Sequence, residues 1–506
     1  MKRIISVSTT ISLVLIAAIL AAGCTSGKTT TSVSGGDALL AQGENEFQND
    51  NYHAAARLFV LAQDNFTAAG DALSALKARD RSTTARMMTF DYPYNRSAMD
   101  QQVAAAFPDM PAGERVAWLD DPLTVRFQSD GEVWYFDRTV KNILNHNMSL
   151  MRKANAKRNH TPLFDELIPL ITAPWKNGTG NWGDPVAYNG LEEFMIPREA
   201  LPAHGTLKLW IPLPIETGPQ TSVSIVSVEP ARYVKSTTGT GADIGLAYLE
   251  VPLAELTGPS LNVSARFSFV QHEQRYMVDP AKVKPYNTSD PLYRNYTAST
   301  RNIAVTPEMK KKAQKIVGNE TNPFLRAQKI YWDIITTHPY SSAPHSWLDA
   351  SGTHESVYVL TTGIGDCGSQ SMYFTALCRS LGIPARTTGG NQMILGTAGD
   401  HFWAEFYLEG YGWIPVDVTA AEGGEWSYNA TDAGRQRYKE YFFGSLDPYR
   451  YIIQKDVDIP FVPETFDPAS GDMALQEPKG VCDTCTVSPD LFIPDVSVWK
   501  VTLTKG

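Results

Sequence analysis

Cys367 follows a glycine-rich run, Thr361-Thr362-Gly363-Ile364-Gly365-Asp366, and precedes a stretch with Tyr373, Phe374, Leu377, Cys378 and Leu381 at helical spacing. Gly382-Ile383-Pro384 closes that helix, because glycine ends it and proline cannot continue it. The pattern places a thiol at the N-terminal end of a core-packed helix. Unpaired backbone N–H groups and the helix dipole favour a thiolate there, and the thiolate is the nucleophilic form. Cys378 falls about three turns deeper on the apolar face and reads as an ordinary buried thiol, a natural internal control.

A second run, Asp400-His401-Phe402-Trp403-Ala404-Glu405-Phe406-Tyr407, alternates as a strand does. Leu408-Glu409-Gly410 suits a three-residue hairpin loop with Gly410 in the left-handed conformation, and Tyr411 to Thr419 supplies the return strand. In that register Tyr407 pairs with Tyr411 and His401 faces Asp417, with Cβ atoms about 4.5–5.5 Å apart. Pro415 permits a bulge that would alter the pairing. The chemistry of such a trio is acyl transfer. Cys367 attacks a carbonyl, His401 takes its proton and returns it to the leaving amine, and Asp417 fixes the imidazole tautomer. The backbone N–H of Cys367 is a ready oxyanion donor at a helix start. Tyr340, His345 and Trp347 are candidates for a second donor. Asp366 and Asp400 flank the site and read as solvated loop acids.

Gly365-Asp366-Cys367, the helix through Leu377-Cys378-Arg379-Ser380-Leu381-Gly382-Ile383-Pro384-Ala385-Arg386, then His401 and Gly412-Trp413 with Asp417, resemble the transglutaminase-like superfamily. The specific part of the resemblance covers about residues 360–420, within a core of roughly 290–450. It implies a papain-like α+β fold with Cys367 as nucleophile, His401 as base and Asp417 as orienting acid. It also implies attack on an amide through a thioester, with water or an amine as acceptor. The superfamily includes members that have lost activity.

These residues must be positioned by the rest of a long chain. At 506 residues the length alone suggests about three domains. Residues 38–86 carry Leu39, Leu40, Gly43, Phe47, Tyr52, Ala55, Ala56, Phe59, Ala62 and Phe66 at helical spacing. Asn49-Asp50-Asn51 breaks them into a helical hairpin that resembles a tetratricopeptide repeat, and a second repeat could begin near Gly70-Asp71. One or two repeats cannot bury a solenoid core, so a hairpin docked on the next domain is expected. Residues 87–185 are a mixed segment without a legible role. In 186–285, runs such as Thr206 to Pro212, Ser222 to Val228, Ala247 to Val251 and Leu261 to Val270 alternate between Pro/Gly turns, which argues a β-sandwich. Residues 451–506 are a Pro- and Asp-rich tail with a late strand at Val496 to Leu503. The fold class is therefore α+β multidomain, ending in the papain/transglutaminase-like core at 290–450.

The first residues read as an address. Lys2 and Arg3 precede an apolar run from Ile11 to Ala22, too short for a bilayer span of about 20 residues. Leu20-Ala21-Ala22-Gly23-Cys24 resembles the lipobox of prokaryotic lipoproteins, with Ala21 where leucine is usual, and implies lipidation at Cys24. Plain signal cleavage or a retained anchor helix are the alternatives. Residues 1–24 thus form a signal peptide, and 25–37, rich in Ser, Thr and Gly, a flexible tether. Ten Asn-x-Ser/Thr sequons, where chance gives roughly three, fit a glycosylated surface protein, and with the lipobox they hint at an archaeal source.

Lys and Arg total 44 against 54 Asp and Glu, a net charge of −10, which argues against nucleic acid as partner. Five cysteines are too few for a disulfide framework. Cys482-Asp483-Thr484-Cys485 is one CxxC without a second pair, and in an exported chain it reads as a local disulfide. The other histidines are scattered without metal-ligand spacing, so neither metal nor cofactor is implied. The expectation is a lipid-anchored surface cysteine enzyme acting on extracellular protein or wall peptides, by hydrolysis rather than amine transfer. The alternative is a catalytically inert surface scaffold or adhesin.

Overall fold

A computed structural model describes residues 35–176, 180–394, 397–464, 473–482 and 498–505. Cys24 and Cys485 lie outside them, as do the signal peptide and all but the last three residues of the tether. Cys482 is held in a disulfide.

The described residues begin with three helices, Gly35–Gln48, Tyr52–Ala68 and Ala72–Phe90, a hairpin and a further helix that starts just after Gly70-Asp71, where a second repeat could begin. The third helix starts because the Asp71 carboxylate caps it, accepting from the Ser74 backbone N–H. Small residues let the helices close on one another. A Cβ on Gly43 would lie 2.6 Å from the Phe59 ring, so the glycine is the hole into which the ring packs. Residues 91–158 form a small unit of four helices and a three-stranded sheet ordered 94–95, 132–135, 126–129. Its apolar centre is Met99, Val103, Met110, Leu119, Tyr135 and Ile143. The next helix, Phe164–Thr172, buries its apolar side in the core further along the chain.

Two antiparallel sheets follow. One contains Trp182–Pro197, Gln220–Glu229 and Ser260–Arg275, the other Thr206–Pro212, Val234–Thr237 and Leu246–Pro252. Their inner side chains, among them Phe194, Leu209, Leu249, Val263 and Phe267, make one cluster. Strand residues beyond 440 complete both sheets. Ser445–Leu446 pairs with 274–275, Lys479–Val481 with 208–210, and Val498–Lys505 with 188–195. The β layer is therefore discontinuous in sequence, and what reads as a tail is part of it.

The remaining core packs helices Pro307–Val317, Pro323–Thr337 and Cys367–Ser380 on a four-stranded sheet ordered 412–416, 397–408, 385–394, 450–454. Phe402, Ala404 and Phe406 point from the strand into the cluster that buries Phe374 and Leu377. Truncating a phenylalanine buried this fully costs about 3–5 kcal/mol.

Candidate active site

The helix Cys367–Ser380 begins at the cysteine itself, with Asp366 as its cap. Asp366 Oδ1 accepts from the N–H groups of Gly368 and Ser369, both at 3.1 Å, while the Asp366 N–H donates to Ser369 Oγ at 2.9 Å. This reciprocal box satisfies the helix start and fixes where the thiol sits. Asp366 is not the solvated loop acid expected from the sequence. It is buried, and its Oδ2 lies 2.7 Å from His345 Nε2 and 3.2 Å from the Ala343 N–H. Burial alone would raise its pKa, but His345 and the backbone donors pull it down to about 2. Asp400, by contrast, is exposed.

His401 and Asp417 come together, by a different register from the expected one. The ladder pairs Tyr407 with Trp413 and Leu408 with Gly412, so the loop is Glu409-Gly410-Tyr411. Gly410 and Gly412 both take positive φ, 91° and 85°. The second left-handed glycine moves the turn one residue along, and the pairing shifts by two. The ladder ends at Ala404 and Val416, and Asp417 leaves it to cap the helix Val418–Glu422. Its carboxylate reaches diagonally to His401, with Nε2 to Oδ2 at 2.7 Å. Cys367 lies near enough to the same imidazole to help raise its pKa, and Nδ1 is the nitrogen that Asp417 leaves free. Cys367 is half-buried, while Cys378 is fully buried and burial pushes its thiol pKa far up.

Arg450 completes the arrangement, and nothing in the sequence marked it. Its side chain is wholly buried. Nη1 donates to Asp417 Oδ2 at 2.6 Å and Nη2 to Asp447 Oδ2 at 2.7 Å. Gly390 admits the strand that carries it, since a Cβ there would sit 2.0 Å from the Tyr451 carbonyl oxygen. Burial would raise the Asp417 pKa, but His401 and Arg450 hold it well below the carboxylate range. Burial would likewise lower His401, and Asp417 outweighs it, raising the imidazole to about 9. An ionised carboxylate beside an imidazole that stays protonated at neutral pH is the electrostatic setting a thiolate needs.

Of the candidate second donors, one has its side chain fully engaged. His345 is locked between Glu355 and Asp366, whereas Trp347 packs against Phe127 with only its backbone N–H donating to Asp91 and its buried indole N–H without a hydrogen-bond partner among the described residues. Tyr340 lies beside Cys367. Burial, the cysteine and the nearby carboxylates keep its hydroxyl protonated far above its ordinary range. The segment before the β layer clasps these loops. Asn142 exchanges two hydrogen bonds with Ser342, and Arg152 reaches Glu425. Among the described residues no cluster of His, Cys, Asp and Glu is arranged to hold a metal ion, and no helix is long and apolar enough to cross a membrane.

A cysteine at a helix start facing an imidazole held by a carboxylate on a neighbouring hairpin defines a papain-like cysteine-enzyme site. Residues 310–418 match the transglutaminase-like superfamily, so this part of the chain is a transglutaminase-like domain. The match takes in Cys367, His401 and Asp417. An uncharacterized protein of Haemophilus influenzae is 30% identical over 182 residues, covering 30% of this chain and 48% of that protein. The chain thus spans about half the length of the curated relative it matches. Among solved structures, a candidate cysteine protease from Cytophaga hutchinsonii is 13% identical with a TM-score of 0.39, over 64% of this chain and 99% of that one. The periplasmic domain of TgpA from Pseudomonas aeruginosa is also 13% identical, with a TM-score of 0.23, over 51% and 94%.

Proposed function

We propose that this chain is a cysteine enzyme that attacks peptide or isopeptide amides through a thioester acyl-enzyme. The observation that carries the reading is His401, held by Asp417 at 2.7 Å and lying near Cys367 at its helix start. In the reaction the Cys367 sulfur adds to the amide carbonyl while the imidazolium formed with the thiolate holds the proton. Collapse of the tetrahedral adduct breaks the C–N bond, and His401 delivers that proton to the leaving amine. The Cys367 N–H and the Tyr340 hydroxyl are the donors to the oxyanion. Water then attacks the thioester, with His401 as base, and releases the acid. Hydrolysis is favoured over transfer to an amine because the sulfur is only half-buried, so bulk water competes with any amine.

The enzyme works at the outer face of the cell membrane, tethered by lipid on Cys24, on extracellular protein or wall peptide. Nine sequon asparagines are described, and all but the half-buried Asn147 are exposed, which supports the glycoprotein reading. The two sheets between 182 and 275 serve as a β-sandwich, and the three N-terminal helices as a tetratricopeptide-like layer.

Iodoacetamide labelling against pH, read by peptide mapping, tests the site, with Cys378 as internal control. Cys367 labels well below pH 8 in the native chain and loses that reactivity in His401→Ala. Labelling that follows an ordinary thiol in both proteins would overturn the catalytic reading and favour an inert scaffold.

A further inference from the structure

The cavity of about 880 Å³ between the β layer and the outer face of the core sheet contains none of Cys367, His401 and Asp417. Glu405, on its wall, lies four residues along the strand from His401, roughly 13 Å away at strand rise. The volume falls in the range of small-molecule sites, about 300–1,000 Å³. Tyr276, Tyr296, Tyr411 and Trp413 line it, each half-buried, together with the exposed Trp182.

The charged residues of the lining cancel in pairs. Lys455 Nζ lies 2.8 Å from Asp243 Oδ1, and Arg386 Nε donates to Glu405 Oε2 at 2.6 Å. Among the described residues of the lining no cation is left over for a phosphate or carboxylate, and no carboxylate for an ammonium group. Glu405 nonetheless keeps one carboxylate oxygen open. Both Arg386 contacts close on Oε2, and among the described residues no hydrogen bond reaches Glu405 Oε1, although that side chain is only 5% exposed. A carboxylate oxygen open to the cavity can accept from a ligand donor, and a neutral donor suits a lining whose charge is already balanced.

Aromatic rings beside a hydrogen-bond acceptor, without net charge, match a molecule with apolar C–H faces and hydroxyl edges. We propose that this cavity binds a short neutral oligosaccharide, with a sugar face against the tyrosine and tryptophan rings and a hydroxyl donating to Glu405 Oε1.

Titration calorimetry on the full chain tests it, with cellotetraose, maltotetraose and tetra-N-acetylchitotetraose as probes and N-acetyltryptophanamide as the aromatic, sugar-free comparison. Saturable binding of at least one saccharide is expected, with a Kd below about 1 mM, weakened about tenfold or more in Glu405→Gln. Because Glu405→Gln also leaves Arg386 without its ionised partner, Tyr411→Ala carries the same expectation from a second position. No saccharide binding at all, saccharide binding that both variants leave unchanged, or binding of N-acetyltryptophanamide alone would each overturn the proposal. Cys367→Ala binds as the native chain does, which separates this site from the fate of the catalytic reading.

Discussion

His401 and His345 sit at opposite ends of one site, each 2.7 Å from a carboxylate oxygen. His401 has one carboxylate and a thiol. His345 has two carboxylates, Asp366 on Nε2 and Glu355 on Nδ1, so both its nitrogens donate and it is a fixed cation. Both imidazoles are raised above their ordinary range, yet only His401 has a nitrogen facing a reactive atom. On the proposed reading, the difference is what makes a histidine a proton carrier: one face anchored and one face free to exchange. A second carboxylate converts the same residue into a strut, here holding the acid that caps the cysteine helix.

The largest effect separates the two at once. His401→Ala and Cys367→Ala each lower acyl transfer by a factor on the order of 10⁶ on a substrate amide, whereas His345→Gln keeps turnover within about tenfold. Asp417→Asn keeps the geometry but not the charge, and kcat falls by about 10⁴ in a single-turnover assay. Arg450→Met removes one partner of a wholly buried pair and costs about 3–5 kcal/mol in urea unfolding. Because Asp447 loses the same partner, Asp447→Asn added to Arg450→Met costs less than the sum of the two single changes.

His345→Gln costs less, about 1–3 kcal/mol, since it loses hydrogen bonds to charged groups at a half-exposed position. The pH dependence has a definite sign. An imidazole raised from 6.5 to about 9 by its carboxylate stabilises the fold fully below pH 6.5 and loses that contribution as pH rises through about 9. The unfolding free energy of the native chain therefore declines across that window, and that of His401→Ala declines less. Cys378→Ala, at about 1 kcal/mol and no change in turnover, is the smallest effect.

The chain order of Cys367, His401 and Asp417 was legible because each residue sits on an element with a plain local signature: a glycine-closed helix and an alternating hairpin. The register was not, because two glycines two apart both accept left-handed φ, and the sequence does not say which one shapes the turn. Arg450 and Asp447 carry no local signature at all. Arg450 meets Asp417 from 33 positions further along the chain, carried there by a strand on the opposite edge of the sheet, and Asp447 joins only through Arg450. Asp366 reads as a loop acid until its partners, His345 and the Ala343 N–H, arrive from a loop over twenty positions earlier. The β-strand pattern of 186–285 was visible, but its closing strands lie beyond 440, where spacing gives no hint of the partner.

That closure sets a timetable. Residues 498–505 pair with 188–195, across some three hundred positions, and 479–481 pair with 208–210. Contacts so distant along the chain are slow to form, because loop closure must come before any gain from pairing. A ribosome makes these strands long after the strands they pair with. Until they emerge, two sheets carry open edges that other chains can pair with. A stop codon placed after residue 460 would spare the cysteine, the histidine, the aspartate and Arg450, and still leave a product prone to aggregate.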